Sequence, residues 1–492
     1  MKNLSFVALA AAVLMPANAY GLQINTTAGA LPGLVKDSDA ITELTITGSV
    51  DASDLFFIDD RLKNLKVLDL SGAKIESYSG DKLRGISTFP ANFIPVGTFA
   101  GSSISEIKLP VTDGLSIGDM AFSATLVESI VIPGNVVSIG IGAFSNCTKL
   151  KTLDIADTAV GAYAFKGCRE LTAVNFGGTA LSESIFAECI SLEDFNARNS
   201  ISFIPAKAFQ GCVSLKHFGF SSDVRYIGES SFYNSGLESL QVENTSLDSI
   251  GPWAFANSSL EIVQLPNTLK HIGDGAFFEC SKLHKFYIPE SCTSVADYVF
   301  KDVKNSDTIL VLPQGITSVG KYAFKGMNGV NHVTFPQTLS YLDDGAMENM
   351  ENLSEIEASG LSSVPRLGKD VWAGIDPSKV RLNVDEKLED DFKAAPQWQD
   401  FDIYSDLTGV EENVAKKENT LQARFKDNIL SVRTYGEKLT RIEIFNPAGM
   451  LLMAVGVQGE EANIDTEALQ GHMFIVVCRL EGSSAATLKL LR

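Results

Sequence analysis

Hydrophobic positions between residues 85 and 380 recur with two superposed periods. The short period is two. Segments such as LVESIVIP (126–133), LEIVQLP (260–266), LHKFYIP (283–289) and VNHVTFP (330–336) alternate apolar and polar side chains, the signature of a short strand with one buried face. The long period is 21 to 25 residues. Phe144 aligns with Phe99, Phe122, Phe165, Phe186, Phe209, Phe232, Phe255, Phe277, Phe300 and Phe324, and Met347 and Trp372 continue the series. Each anchor tends to follow an Ala and an earlier Ile-Gly, as in YIGESSF (226–232) and HIGDGAF (271–277).

A unit of this length is too small to bury its own apolar side, so neighbouring units must stack and share one elongated core. The pattern predicts a right-handed repeat solenoid whose strands pair in parallel, in a sheet on the order of 55 to 60 Å long. Glycines such as Gly140 and Gly142 are expected at sharp turns, where positive φ is tolerated. They do not form a dinucleotide loop, because Ser145 stands where the third glycine is required.

The repeat IGxxAFxxCxxLxxIxIP, spelled by IGIGAFSNCTKL (139–150) and its counterparts, resembles that of BspA-like leucine-rich-repeat proteins. The resemblance implies a leucine-rich-repeat fold with a parallel β-sheet and capped ends, in an exported or surface protein that adheres to host or bacterial proteins or to matrix. Residues 41–80 resemble the family's N-terminal cap and residues 387–403 its aromatic-bearing end cap. Caps are physically required, since a bare terminal repeat exposes apolar surface and a strand edge.

The flanks add a destination. MKNLSFVALAAAVLMPANAYG has a lysine, an apolar run from Leu4 to Met15 and the small-residue pattern Ala17-Asn18-Ala19, the form of a secretory signal peptide cut after Ala19. No later run reaches the roughly eighteen apolar residues of a membrane helix. After Asp400 the anchor disappears, and LQARFKDNILSVRT, LTRIEIFNPAGMLLMAV and GHMFIVVCRL read as strands of a small antiparallel β-sandwich. This tail resembles the C-terminal sorting domain of type IX secretion substrates, through FNPAGMLL, IDTEALQGHMFIV and LKLLR, with His472-Met473-Phe474 where that family carries its usual tyrosine. The resemblance implies the type IX machinery as a partner and passage through the periplasm to the outer cell surface; an adhesion module that stays with the protein is the other reading. The expected organisation is a signal peptide at 1–19, N-terminal cap at 20–84, solenoid at 85–380, C-terminal cap at 381–405, linker at 406–419 and sorting domain at 420–492.

Charge and chemistry narrow the function. Sixty acidic against 40 basic residues give a net charge of −20 over 492 residues, which argues against a nucleic-acid partner. Cys147, Cys168, Cys189, Cys212 and Cys280 each lie three residues after an anchor, so they stack in a ladder. Parallel Cα–Cβ vectors about 4.8 Å apart hold the Cβ atoms wider than a disulfide prefers, and buried free thiols are expected, strained bridges being the alternative. Cys292 and Cys478 lie off the ladder, and no paired Cys or His spacing suggests a metal. None of the five histidines sits in a metalloprotease motif and no serine-nucleophile elbow occurs, so no catalytic residue and no cofactor is assigned. The acids Asp343-Asp344 and 389–391 read as solvated charged loops rather than calcium ligands.

The outward positions of the stacked strands form a two-column stripe, from Thr152 and Asp154 to Glu355 and Glu357, passing through His217 and Gly219. Its middle carries Ile262, Lys285, Tyr287, Ile309, Val311 and His332, the candidate ligand-binding residues. Apolar side chains there fit an interaction surface, and they fit equally the β-propensity of Ile, Val and Tyr. The expected partner is an extracellular, host or bacterial surface protein, with surface glycans captured as nutrient as the alternative.

Overall fold

The computed structural model describes residues 11–14, 20–36, 38–284, 286–304 and 309–405, and in the C-terminal part 421–426, 429–434, 438–445, 451–466, 469, 473–480 and 486–491. Of the expected signal peptide only Ala11–Leu14 falls among these, as a strand antiparallel to Tyr20–Thr26. The expected linker at 406–419 lies outside the described residues.

Strands Tyr20–Thr26, Ile41–Val50 and Val67–Ile75 pair in parallel and open the sheet. Helix Ala52–Arg61 covers this end, started by Asp51, whose carboxylate accepts the N–H groups of Ser53 and Asp54. Asp54 is fully buried, and its carboxylate takes the N–H groups of Gly29 (2.7 Å), Leu31 (3.0 Å) and Asp51 (3.1 Å), which pins the entering loop to the helix.

Each coil then repeats three elements. A back strand such as Val136–Ile139 leads to a tight turn around the anchor, and a face strand such as Thr152–Ile155 follows. The face strands pair in parallel at equivalent positions: Ser129 opposite Thr152, Thr152 opposite Ala173, Ala173 opposite Asp194. The back strands form a second parallel column that the alternation did not announce. The turns form a third, because each anchor's N–H reaches the next coil: Phe122 to Ala143 O (2.8 Å), Phe144 to Ala164 O (2.8 Å), Phe165 to Ile185 O (3.0 Å). Three columns thus satisfy the backbone of every ordinary coil.

The two glycines of residues 139–150 have different roles. Gly142 does adopt positive φ (+60°). Gly140 does not; a Cβ there would lie 2.5 Å from Asp119 N and 2.6 Å from Gly118 C. Its place in the sequence is set by the close approach of neighbouring coils and not by left-handed backbone.

The anchors form the core. Eleven phenylalanine rings from Phe99 to Phe324 stack with centroids 5.1 to 5.8 Å apart, the offset-stacked range for aromatic pairs. All seven cysteines are free and buried, six in the solenoid core and Cys478 in the separate core of the C-terminal part. Each ladder thiol donates to the carbonyl of the preceding anchor, as in Cys147 Sγ to Phe122 O (3.1 Å) and Cys212 Sγ to Phe186 O (3.2 Å). Burial raises the pKa values of Cys147, Cys168 and Cys212, takes those of Cys280 and Cys292 to about 11 and that of Cys478 to about 12. The thiolate is the reactive form, so these groups are inert while the fold is closed. A disulfide thiol reagent is therefore expected to label none of the seven cysteines in the native chain and all of them after denaturation; prompt native labelling would contradict this packing.

The face is not one unbroken sheet, and this corrects the sequence expectation. Strands run to Asp194–Ala197, resume as the pair Ser239–Gln241 and Ile262–Gln264, and resume again at Ile309–Val311. Residues 217–220, which include His217 and Gly219, and residues 286–288 are not in strands. In both gaps the middle inward position holds phenylalanine, Phe218 or Phe286, where paired coils carry Leu153, Val174, Leu240 or Val333. Phe218 lies 5.0 Å from Phe209 and 5.1 Å from Phe232, and Phe286 lies 4.2 Å from Phe300. Phe195 holds the same inward position in strand Asp194–Ala197, which stays paired with Ala173–Phe176, so a ring at that site does not by itself open the ladder.

The acids expected in solvated loops sit at a turn and in the first turn of a helix. Asp343 and Asp344 are half-buried, and Asp344 accepts the N–H of Lys369 (2.8 Å) and pairs with Lys321 (3.2 Å), contacts that hold its carboxyl below the usual carboxylate range. The acids at 389–391 lie in the first turn of the end-cap helix Glu389–Ala394, where its dipole favours them. Behind that helix Trp398 is buried, donates to Pro365 O (2.9 Å) and meets Trp372 and Phe392 at 5.2 and 5.3 Å. Gln397 accepts the N–H of Val371 (3.1 Å) and donates to Gly368 O (2.8 Å), covering backbone groups that no further coil can satisfy.

The C-terminal part forms two antiparallel sheets, one of three strands (421–426, 429–434, 461–465) and one of four (439–445, 451–459, 473–480, 486–491). Leu430, Val432, Ile442, Ile444, Phe474 and Val476 fill a separate core. Of the motifs quoted for this tail, residues 446–450 and 470–472 lie outside the described residues.

Candidate interaction face

The face strands place side chains alternately into the core and outward. Burial follows that alternation: Val263, Leu310, Val333 and Ile356 point inward and are buried, while Ile262, Gln264, Ile309, Val311, His332 and Thr334 are half-buried on the outer surface. Register puts Ile309 beside His332 and Val311 beside Thr334. Lys285 lies outside the described residues. Tyr287 sits in the second face gap, half-buried, with its hydroxyl donating to Leu265 O at 2.5 Å. Burial, with the charge of Glu243 second, raises its pKa. The phenol thus occupies a carbonyl beside a segment that makes no ladder.

The surface divides into three zones. Toward the N-terminus it is charged and paired apart from the exposed Val131: Lys108 with Asp69 (3.1 Å), Lys151 with Glu128 (2.9 Å), Arg198 with Asp154 (2.8 Å). Such solvent-screened pairs contribute little to stability and mainly keep the zone hydrated. The middle is the apolar group Ile262, Ile309 and Val311 with Tyr287. The last zone is a hydrogen-bonded polar network. Glu355 receives His332 Nδ1 at 3.1 Å and the Tyr404 hydroxyl at 3.2 Å, Arg381 lies 4.1 Å from the Tyr404 ring centre, and Asn383 donates to Glu357 at 2.9 Å. Burial, followed by the Glu355 charge, pushes Tyr404 up to about 12.

Arg381, Asn383 and Tyr404 were not singled out from the sequence. They join the stripe because strands Arg381–Val384 and Asp402–Tyr404 extend the face ladder through the cap, Glu355 opposite Arg381 and Arg381 opposite Asp402. The alternation in RLNV (381–384) was the available signal, but no anchor of the repeat accompanies it. Among the described residues no group of three or more His, Cys, Asp or Glu is placed to hold a metal, and no helix is long and apolar enough to cross a membrane.

Comparison with known proteins bears on the fold. A leucine-rich repeat protein from Bacteroides ovatus superposes with a TM-score of 0.50 at 15% identity, over 82% of this chain and 100% of that one. A leucine rich cell surface protein from Faecalibacterium prausnitzii aligns at 19% identity over 73% and 96% of the two chains, TM-score 0.33. The pneumococcal vaccine antigen PcpA aligns at 18% identity over 81% and 97%, TM-score 0.34. No curated protein matches the sequence. The model of the BspA type leucine rich repeat region matches in six copies over residues 86–180, 179–307 and 303–435, which is more than half of the chain, and the protein belongs to that family.

Proposed function

We propose that this is an exported, cell-surface, non-enzymatic protein that binds an extracellular protein through the face of its solenoid. The observation that carries the reading is the apolar group Ile262, Ile309 and Val311 set on the outer surface between two polar zones. Interfaces concentrate their energy in such a centre, with a polar rim that excludes water.

Adhesion to host, bacterial or matrix proteins is the role that fits this surface. The glycan reading asks for flat aromatic rings turned to solvent. Two pairs of such residues instead stack on one another, Phe203 on Tyr226 (4.9 Å) and Tyr298 on Tyr322 (5.5 Å), so one face of each is already used. We further propose cleavage after Ala19 and sorting by the type IX machinery through residues 420–492, on the strength of the sequence patterns.

Screening the secreted protein against extracellular-matrix proteins and glycan arrays tests the class of partner. For the partner found, Tyr287→Ser together with Ile309→Ser is expected to weaken binding at least about tenfold, while circular dichroism and cooperative unfolding stay as in the parent. Unchanged binding would remove the central patch from the interface, and hits confined to glycans would reverse the order of the two readings. Deleting residues 420–492 is expected to leave the protein in the periplasm; an unaltered surface pool would refute the sorting role.

A further inference from the structure

Near the N-terminal end of the face two neighbouring strands part in mid-course. Strand Glu106–Lys108 pairs with Val67–Asp69 over its whole length, but it meets the next strand, Ser129–Ile132, at one position, Ser129 opposite Glu106. Elsewhere on the face the N–H groups of Val242, Leu312 and Phe335 reach Gln264 O (3.0 Å), Thr334 O (3.1 Å) and Glu357 O (2.9 Å) of the following coil. Here the equivalent bond would run from Leu109 N–H to Val131 O. Among the described residues Leu109 N–H makes neither that bond nor any other. A main-chain donor and a main-chain acceptor, set where a strand would join them, are both left over.

The parting is fixed at both ends. Glu128 N–H bonds Ser105 O (3.0 Å) at its start, and beyond it the Asn135 side-chain amide donates to Pro110 O and to Thr112 O, 2.9 Å each. Two ties thus bound an opening of about 600 Å³, a size usual for ligand sites. Ile107 and Ile130, both buried, lie beneath it, and Glu106, Lys108, Glu128 and Val131 are its exposed lining. Lys108 and Glu128 are engaged by Asp69 and Lys151. Glu106 forms no ion pair among the described residues. Val131 and Val111, the latter in the loop that Asn135 ties, are 68% and 69% exposed, the highest values for large apolar side chains among the described residues.

We propose that this slot takes an extended peptide segment of a partner protein, with a lysine or arginine of that segment beside Glu106. A main-chain carbonyl of the segment accepts Leu109 N–H and a main-chain N–H donates to Val131 O, the pairing by which an added strand joins a sheet. Alternate side chains of an extended segment share one side, so an apolar residue can rest on Val131 while a cationic one reaches Glu106. The cation complements an unpaired carboxylate on a chain of net charge −20. No aromatic side chain lines the slot, which leaves a sugar ring nothing to stack on. The site is separate from Ile262, Ile309 and Val311 and stands whether or not that group binds a protein.

A positional library of acetylated and amidated hexapeptides, applied to the immobilised full chain, tests the proposal. Selection is expected for lysine or arginine at one position and for an apolar residue near it. For the best peptide, Val131→Lys is expected to weaken binding at least about tenfold, and Glu106→Gln to remove the preference for the cation. Tyr287→Ser with Ile309→Ser should change neither. Both slot side chains are exposed, so circular dichroism should match the parent. With peptide bound, hydrogen exchange over residues 106–111 is expected to slow at least about tenfold. No selection from the library, or selection unaltered by Val131→Lys and Glu106→Gln, would overturn the slot. Self-association of the parent chain that Val131→Lys abolishes would assign the slot to a second copy and overturn the peptide as its occupant.

Discussion

Gly140→Ala is expected to destabilise the solenoid by about 2–3 kcal/mol, the cost of forcing a side chain into a closed contact. The new Cβ would sit 2.5 Å from Asp119 N and 2.6 Å from Gly118 C. Both are backbone atoms, so no side-chain rotation relieves the clash. The coil has to retreat, which lengthens the Gly140 N–H bond to Ile117 O (2.8 Å) and pulls Ile141 N–H from Asp119 Oδ1 (2.7 Å). Coil stability in a solenoid is a sum of nearest-neighbour terms, so the loss stays at one boundary. The measurement is denaturant unfolding together with hydrogen exchange at residues 117–142. Gly219→Ala is the control, because no atom lies within 4 Å of its Cβ position and its φ is not positive; it should be neutral or stabilising by about 0.4–1 kcal/mol. Equal effects at the two sites would show that close stacking is not what Gly140 serves.

The same pair of glycines marks the boundary of what the chain discloses by itself. The recurrence of the phenylalanine anchor and the alternation after it were enough to place a stacked parallel solenoid, because both report burial, and burial is what hydrophobic periodicity measures. The cysteine ladder followed from spacing and bond geometry. The back column did not, since in pieces such as Tyr226–Ile227 and Ser318–Val319 a strand of two residues has no period to read. The breaks in the face ladder at residues 217–220 and 286–288 were hidden as well, since Phe218 and Phe286 obey the apolar alternation as leucine does. At the candidate face the outward positions were legible from the alternation, but the tie from Tyr287 to Leu265 O and the network of Glu355, Arg381 and Tyr404 join residues 22 to 49 positions apart. Contacts of that kind depend on how coils stack and on where the cap returns, which no single repeat records.

Phe165→Ala should be the most costly single truncation of this solenoid, at about 4 kcal/mol. The ring is fully buried and lies 5.5 Å from Phe144 with planes 3° apart and 5.8 Å from Phe186 with planes 14° apart. Removing it takes away the transfer free energy of the ring and its share of two aromatic contacts, each worth about 0.5–1.5 kcal/mol beyond area. The cavity cannot close, because the spacing of the coils is fixed by backbone: Phe165 N–H to Ile185 O at 3.0 Å and Phe144 N–H to Ala164 O at 2.8 Å. Cys189 Sγ bonds the carbonyl of Phe165 at 3.2 Å, so a reagent that finds this thiol in the variant and not in the parent reports the void directly. Phe324→Met provides the contrast. Met347 already occupies the next anchor site and is fully buried there, so the flexible thioether fits the column and should cost less than about 1.5 kcal/mol. Denaturant midpoints for the two variants decide the matter. A loss below about 1 kcal/mol for Phe165→Ala would mean that the three backbone columns hold the coils without help from the stacked rings, far less than a filled core position normally contributes.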